Sequence, residues 1–551
     1  MKHFKPLMKS FLGVMAVLAM VSCQSDTWKD HYSFRSEGSD PVGSLAQTIK
    51  DIPEAAKFVK ALETTYMYNG DKQLRITYWD FLNDNQFLTV WLPDASSISD
   101  AEWDIYTSTD DNKDHKAVGT EFILNHIARF SHPVGSDTKE KVKMMSDKTY
   151  RSVSDAIGGV GYKEKNIRCS NGVLHQLSGK IVYRPSLYEY ITGRLQRNSD
   201  LGNSYDYKTI LGDWIDLYTK EELDESRSVQ GEVNDKGEIE YIDKVIIREN
   251  PLLKKFAFID SEDSTYIVVL PEPTVWVSAY DSVSHFYSYE DDVIGKDSLQ
   301  KYWTNYTMLT DLFFNKNTQK SVQDSATSTQ FKWSERMTEK YPYHVFYKPY
   351  DDGGLFAAAQ AGANGVIDSV TCSNGIIYVR NDWPYSDSIF RRTIKLEAED
   401  VLFENVTTRP KSARYPIDSV TSKSARVMEI YASTINWDVK YEVKNTLAGK
   451  YLFKLVFFRN GDKKSNTVYA NIDYLHDGSY LSLYASKKGP KTTTFTVGTS
   501  EKPDTLTFGP FELPTGNYEA GFGRLRVNVG VQKGESNKIW FDGIILEPVF
   551  E

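Results

Sequence analysis

Cys169-Ser170-Asn171-Gly172-Val173-Leu174-His175 and Cys372-Ser373-Asn374-Gly375-Ile376-Ile377-Tyr378 are one pattern written twice. Asn-Gly is the strongest short hairpin signal, because both residues tolerate positive φ. Ile167-Arg168 before the first copy and Thr371 before the second supply an incoming strand, and the apolar run after each glycine supplies the outgoing one. The spacing therefore predicts two copies of one domain, each closing on a hairpin. Cys169 and Cys372 fall at equivalent points of separate cores, so they are expected to be buried free thiols and not a disulfide.

The same order of elements precedes both hairpins. In the first copy Ser44-Leu45-Ala46-Gln47 reads as a capping box. Leu45, Ile49, Ile52, Ala56, Val59 and Leu62 then recur at helical spacing. Phe87 to Asp94 is a β-rich run stopped by Pro93, and Phe122, Ile123, Ile127 and Phe130 form a helical stripe. In the second copy Tyr207, Ile210, Leu211, Trp214, Ile215 and Tyr218 suggest the opening helix. Tyr266 to Pro273 repeats the proline-stopped strand, and Leu299, Trp303, Met308, Leu309 and Leu312 repeat the helical stretch. Val233-Asn234-Asp235-Lys236-Gly237-Glu238 looks like an inserted β-hairpin in this copy.

These residues resemble the fasciclin family. Thr89-Val90-Trp91-Leu92-Pro93-Asp94 is similar to the family's early strand, and Ser170-Asn171-Gly172-Val173-Leu174-His175 to its closing hairpin. Leu124-Asn125-His126-Ile127 resembles its central helix motif, with Asn125 in the place of tyrosine. The second copy keeps Val269-Leu270-Pro271-Glu272 and Ser373-Asn374-Gly375-Ile376-Ile377, with Tyr378 in the place of histidine. The resemblance implies two α+β domains, over 44–186 and 187–390, of a kind used for adhesion or ligand binding without chemistry.

From residue 391 to 551 the pattern changes to short strands and turns. Trp437 to Val443, Tyr451 to Phe458, Thr467 onward, Tyr480 to Tyr484 and Arg524 to Val529 read as strands, punctuated by Gly449, Asn460-Gly461, Asp477-Gly478 and Thr515-Gly516-Asn517. That alternation predicts an all-β sandwich. Leu396-Glu397-Ala398-Glu399-Asp400 opens it and Ile539-Trp540-Phe541-Asp542-Gly543-Ile544-Ile545 closes it. Together they resemble carbohydrate-binding modules of the galactose-binding-like jelly-roll type. The resemblance implies a structural Ca²⁺ held by Glu397, Glu399 and Asp542, and Ca²⁺ does favour several carboxylate and carbonyl oxygens. The alternative is that Glu397 and Glu399 simply point outward on a solvated strand. Tyr415, Tyr474, Tyr480 and Tyr484 are the candidate sugar-stacking rings.

The first residues read as an address. Lys2, Lys5 and Lys9 precede an uncharged run from Phe11 to Val21, which suits a signal peptide over 1–22 and is short for a bilayer span. Met20-Val21-Ser22-Cys23 resembles a bacterial lipobox, which implies acylation of Cys23 and a tether over 23–43. An ordinary cleaved signal with an incidental cysteine is the alternative. Gln24, Ser25, Asp26 and Asp30 resemble the surface-export signal of lipoproteins in SusC/SusD-type nutrient uptake.

Composition narrows the rest. The chain has 551 residues with a net charge of −10, of which 40% are apolar and 25% charged. This is a multidomain globular composition without the basic excess of a nucleic-acid binder. Three cysteines exclude a disulfide scaffold. There is no His-Glu-x-x-His pair, no Gly-x-Ser-x-Gly elbow and no phosphate-binding loop. Asp110-Asp111-Asn112-Lys113-Asp114 lacks the glycine and closing glutamate of an EF-hand and reads as a solvated turn. His126 and His175 read as packing residues. The sequence thus points away from an enzyme and toward a lipid-anchored protein on the extracellular face of an outer membrane. Its expected partners are a polysaccharide or oligosaccharide and a SusC/SusD-like transporter. The alternative is an adhesion or scaffold lipoprotein that binds other proteins without touching sugar.

Overall fold

The computed structural model describes residues 43–550 apart from 70–71, 84–86, 194–204, 224, 226–228, 234–238, 244–245, 264, 310–311, 317–325, 329–364, 384, 386–390, 392, 400–405, 409–411, 417–425, 432–436, 486–493 and 533–537. The leader and Cys23 lie outside the described residues. Among the described residues no helix is long and apolar enough to cross a membrane.

The two hairpin motifs sit in two sheets of the same plan. In the first, the strands run Ile127–Arg129, Leu88–Leu92, Gly172–Leu177, Val160–Cys169, and then a meander through Ala156–Ile157, Thr149–Val153 and Lys139–Lys143. In the second, they run Ala326–Ser328, Phe313–Lys316, Tyr266–Pro271, Gly375–Arg380 and Val366–Cys372. The proline-stopped strand pairs in parallel with the hairpin's outgoing strand in both, Leu88 opposite Gly172 and Tyr266 opposite Gly375. Both are buried along their whole length, as a strand covered on two sides must be.

The hairpin turn is built differently from the expectation. Cys169 pairs with Gly172 and Cys372 with Gly375, so the turn residues are Ser-Asn and the glycine already belongs to the strand. The glycine is required by its neighbour. A Cβ at Gly172 would lie 1.9 Å from the Leu88 carbonyl oxygen, and one at Gly375 would lie 2.3 Å from that of Tyr266. The asparagine works through its side chain. Asn171 Oδ1 accepts the Leu45 amide at 2.7 Å, and Asn374 Oδ1 accepts the Leu187 amide at 2.8 Å, each at the start of the domain's first helix. Cys169 and Cys372 are buried and free, as expected.

The helices depart from the predicted stripes at their ends. The first is interrupted at Pro53, leaving Leu45–Lys50 and Ala56–Thr64 joined by a short 3₁₀ turn. Ser44 caps it through Gln47 N, while the Gln47 side chain turns instead to Asp51 at 2.9 Å, so only half of the capping box forms. The Phe122 stripe ends at His126. Ile127 opens a strand, and Phe130 stands 58% exposed with φ +70°. Leu312 lies past the end of the Lys296–Leu309 helix. The inserted hairpin is present: Val229–Val233 pairs antiparallel with Ile239–Asp243.

The C-terminal strands form two antiparallel sheets. One runs Ser412–Pro416, Arg426–Tyr431, Lys538–Pro548, Gly449–Phe458, Asp504–Leu513, with Ile394–Glu397 also paired to Lys538–Pro548. The other runs Val406–Thr408, Trp437–Val443, Leu525–Gln532, Asn466–His476, Ser479–Ala485, with Phe495–Val497 also on Asn466–His476. Phe453, Leu455, Ile544 and Leu546 of the first face Val439, Tyr441, Ile472 and Val527 of the second, all buried. This is sandwich packing with alternate residues turned inward.

The second repeat and the sandwich share one core. A continuous apolar cluster runs from Leu187 to Leu546, whereas the first repeat keeps separate clusters. Tyr518 of the sandwich packs edge-on against Trp303 and Tyr287 at ring distances of 4.8 and 5.8 Å, and its carbonyl accepts the Tyr289 hydroxyl at 2.8 Å. The two repeats meet through a buried ammonium instead. Lys148 Nζ reaches Glu189 at 2.6 Å and Glu262 at 2.9 Å across their junction, beside a polar cavity of about 850 Å³.

Candidate functional site

The face of the second sandwich sheet that points away from the core gathers polar side chains into rows. Strand alternation builds it. On Leu525–Gln532 the inward set is Leu525, Val527 and Val529, which leaves Arg526 and Asn528 outward. On Trp437–Val443 the same alternation leaves Lys440 and Glu442 outward, and on Asn466–His476 it leaves Asn471 and Asp473. The register aligns them into rows, with Glu442, Arg526 and Asp473 side by side, and Lys440, Asn528 and Asn471 in the next row. Ser482 extends the first row on the neighbouring strand, opposite Asp473.

Arg526 organises this face. Its guanidinium donates to Glu442 Oε1 at 3.2 Å and lies 4.1 Å from the centroid of the Tyr480 ring. Such a cation over a ring fixes the ring's plane. Tyr480 is 41% exposed, so it presents apolar surface to solvent from a rigid mount. Burial raises the Asp473 carboxyl above its usual pKa, while Ser482, Lys440 and Arg526 act the other way. The row of Glu442, Arg526 and Asp473 thus offers donors and acceptors in a partly dry setting, with one aromatic plate at its edge, while Asn528 in the next row is buried. Alternation of polar residues within Asn471-Ile472-Asp473-Tyr474 was the available signal for this face. Arg526, Glu442, Asp473 and Asn528 belong to three strands distant in the chain, so only the register of the sheet brings them together.

The four proposed rings do not form one set. Tyr474 is fully buried among the core residues, and its hydroxyl bonds with Thr515. It is a core residue and does not face a ligand, because Asn466–His476 places even-numbered residues from Ala470 to Tyr474 inward. Tyr484 also turns inward, packing 4.6 Å from the Phe508 ring. Only Tyr480 stands on the outward face. Tyr415 pairs through its backbone with Val427, on a strand of the other sheet, so it is not part of this face.

The three proposed metal ligands lie at another corner, on chain segments that pair through their backbones. Ile394–Glu397 pairs with the last strand, Glu397 opposite Gly543, and the Ala398 amide donates to the Asp542 carbonyl at 2.7 Å. First and last strands of the sandwich therefore do come together. One carboxylate oxygen on each of Glu397, Glu399 and Asp542 is sealed from solvent. Glu399 is fully buried, while Glu397 stays partly exposed on its strand. The all-oxygen donor set suits Ca²⁺. Among the described residues, however, the one group of three carboxylate or imidazole atoms lying within 4.8 Å of one another is Glu290, His476 and Asp477.

The histidines of the first repeat are packing residues. His126 is fully buried and bonds the Phe122 carbonyl at 2.7 Å and the Ile181 amide at 3.0 Å. His175 stacks on Trp91 at 5.6 Å and bonds the His132 carbonyl at 3.0 Å.

No protein-family model and no curated protein matches the chain. Solved structures of carbohydrate-binding modules do match part of it. A family 61 module in complex with β-1,4-galactotriose is 12% identical over 28% of this chain and 94% of its own, with a TM-score of 0.20. The CBM22-1 xylan-binding domain of Paenibacillus barcinonensis Xyn10C is 10% identical over 28% of this chain and 94% of its own, with a TM-score of 0.21. The C-terminal CBM6 of LamC from Zobellia galactanivorans is 13% identical over 28% of this chain and 99% of its own, with a TM-score of 0.18.

Proposed function

We propose that this chain is a lipid-anchored protein of the outer-membrane surface that binds glycan through the outward face of its C-terminal sandwich. In this reading it has no chemistry of its own and serves a SusC/SusD-type uptake system. The observation that carries the reading is the ordered row of Glu442, Arg526 and Asp473 beside the mounted Tyr480 ring. Sugars present an apolar ring face and a rim of hydroxyls, and this face offers a ring and a rim of fixed polar groups. The basic, apolar leader ending in Cys23 supports the anchor, and the duplicated asparagine-capped hairpins support two repeats of the fasciclin type that raise the sandwich off the surface.

Glu397, Glu399 and Asp542 would hold Ca²⁺, which when bound supplies a tie between the first and last strands and no catalysis. Binding should be tested on the whole mature chain, because the sandwich shares its core with the second repeat. Affinity electrophoresis against plant, microbial and host polysaccharides should show retardation by one class. Arg526→Ala should abolish it. Retardation by none, with retained transporter in a native pull-down, overturns sugar binding and leaves a scaffold. A Cys23→Ala variant that still fractionates with membranes at mature mass overturns the anchor.

A further inference from the structure

The seam between the second repeat and the sandwich holds a cluster that glycan binding does not use. Asp477 and Gly478 connect Asn466–His476 to Ser479–Ala485, both in the left-handed region at φ +47° and +72°. This is the geometry of a tight hairpin turn whose twist matches its strands. It holds His476 and Asp477 at the tip, against Glu290 of the second repeat. His476 Nδ1 lies 2.7 Å from Glu290 Oε1, and His476 Nε2 lies 3.6 Å from Asp477 Oδ2. One ligand atom from each residue falls within 4.8 Å of the other two. Glu290 is buried, while His476 and Asp477 open to solvent.

We propose that Glu290, His476 and Asp477 bind a divalent first-row transition ion, with Zn²⁺ the best fit, and that the ion bridges the second repeat to the sandwich. One imidazole and two carboxylates select such an ion over Ca²⁺, which prefers oxygen throughout. Zinc bonds of about 2.0–2.2 Å place tetrahedral ligand atoms a little over 3 Å apart. The 2.7 Å Nδ1 to Oε1 separation then has to open by roughly half an ångström or more, and the exposed Asp477 carboxylate can swing to meet the ion. Three protein ligands leave the solvent side for water.

The surroundings support the site. The Thr515 hydroxyl donates to Glu290 Oε1, and Tyr474 bonds in turn to Thr515. Such outer partners orient a ligating carboxylate. The neighbouring Arg524 guanidinium is paired with Asp292, so its charge is offset. Metal binding forms one N–metal and two O–metal bonds; an imidazolium at His476 gives its Nδ1 proton to solvent and keeps the one on Nε2, whereas a neutral imidazole only moves its proton from Nδ1 to Nε2. No electron is transferred, and affinity falls with pH as the imidazole takes up a proton.

The test uses the full mature chain stripped of metal. ZnCl₂ titrated in a calorimeter should give one ion per chain and raise the melting temperature. Co²⁺ should give visible d–d absorption bands. His476→Gln, which can still hydrogen-bond Glu290, and Asp477→Asn, at an exposed position, should each weaken binding at least tenfold and abolish the bands. Absence of a Zn²⁺ response, or an equal response in both variants, overturns the proposal. These outcomes are independent of sugar binding, which is read by electrophoresis.

Discussion

Tyr480 and Tyr484 lie on one strand yet on opposite faces of its sheet. The register with Asn466–His476 slips between them. Tyr480 pairs with Leu475 and Ser482 with Asp473, but Tyr484 pairs with Ile472, so Leu483 is the extra residue of a bulge. Directly opposed residues share a face. Tyr480 therefore joins the outward side of Leu475 and Asp473, and Tyr484 the core side of Ile472.

The two tyrosines should separate binding from stability. Tyr480→Ala is expected to weaken glycan retardation by tenfold or more while shifting stability by less than about 1 kcal/mol. Tyr484→Ala is expected to leave retardation intact and to cost about 2 kcal/mol through lost packing on Phe508. Electrophoresis and denaturant unfolding on the same samples read both effects, and the reverse pattern would place the site on another surface.

Asn171 and Asn374 each hold a hairpin to the start of their own repeat. Asn374 also donates to the Ile259 and Ser261 carbonyls at 2.7 and 2.9 Å. Alanine leaves buried backbone groups unsatisfied, at about 2–4 kcal/mol. Calorimetry should show Asn171→Ala lowering the transition of the first repeat alone. Asn374→Ala should lower a joint transition of the second repeat and the sandwich, because those two share a core.

Stability should fall in mild acid. Burial lowers the pKa of both His126 and His175 from 6.5 to about 4. Between pH 6.5 and 4 the unfolded chain therefore binds more protons than the folded one. The contribution is complete above about pH 6.5 and is lost as pH falls toward 4, by up to about 3 kcal/mol per histidine. His175→Gln should flatten the pH dependence of the melting temperature over that window, and an unchanged slope would mean that His175 is not the group being titrated.

The thiols should be inert in the native state. Burial pushes the Cys372 thiol up to about 12 and raises that of Cys169 as well. Thiolate is the reactive form, so an aromatic disulfide reagent at pH 8 should label neither cysteine in the folded mature chain lacking Cys23 and both after denaturation. Rapid labelling of either without denaturant would show that its core opens.

Chelation should loosen the sandwich. If Glu397, Glu399 and Asp542 hold Ca²⁺, a chelator selective for Ca²⁺ lowers the melting temperature, since saturation at a hundredfold over Kd stabilises by about 2.7 kcal/mol. Asp542→Asn should melt early and no longer respond to chelator. A parent chain indifferent to chelator would leave the three carboxylates as a purely structural corner.

The sequence by itself determined the duplication, the free cysteines and the change to short strands after residue 391. These are legible because turn chemistry and two-residue alternation are local, and because a repeated tetrapeptide compares the chain with itself. The resemblance to carbohydrate-binding modules singled out Glu397, Glu399 and Asp542, whose backbones come together where Ile394–Glu397 pairs with the last strand. Tertiary structure alone decided which tyrosines face solvent, since a single bulged residue at Leu483 turns Tyr484 to the core and leaves no mark in composition. It alone brought Arg526 onto Tyr480, and Glu290 to His476 and Asp477, because cross-strand register and domain docking join residues far apart in the chain. It alone fused the second repeat to the sandwich: packing Tyr287, Trp303 and Tyr518 against one another takes their apolar rings out of water across the seam.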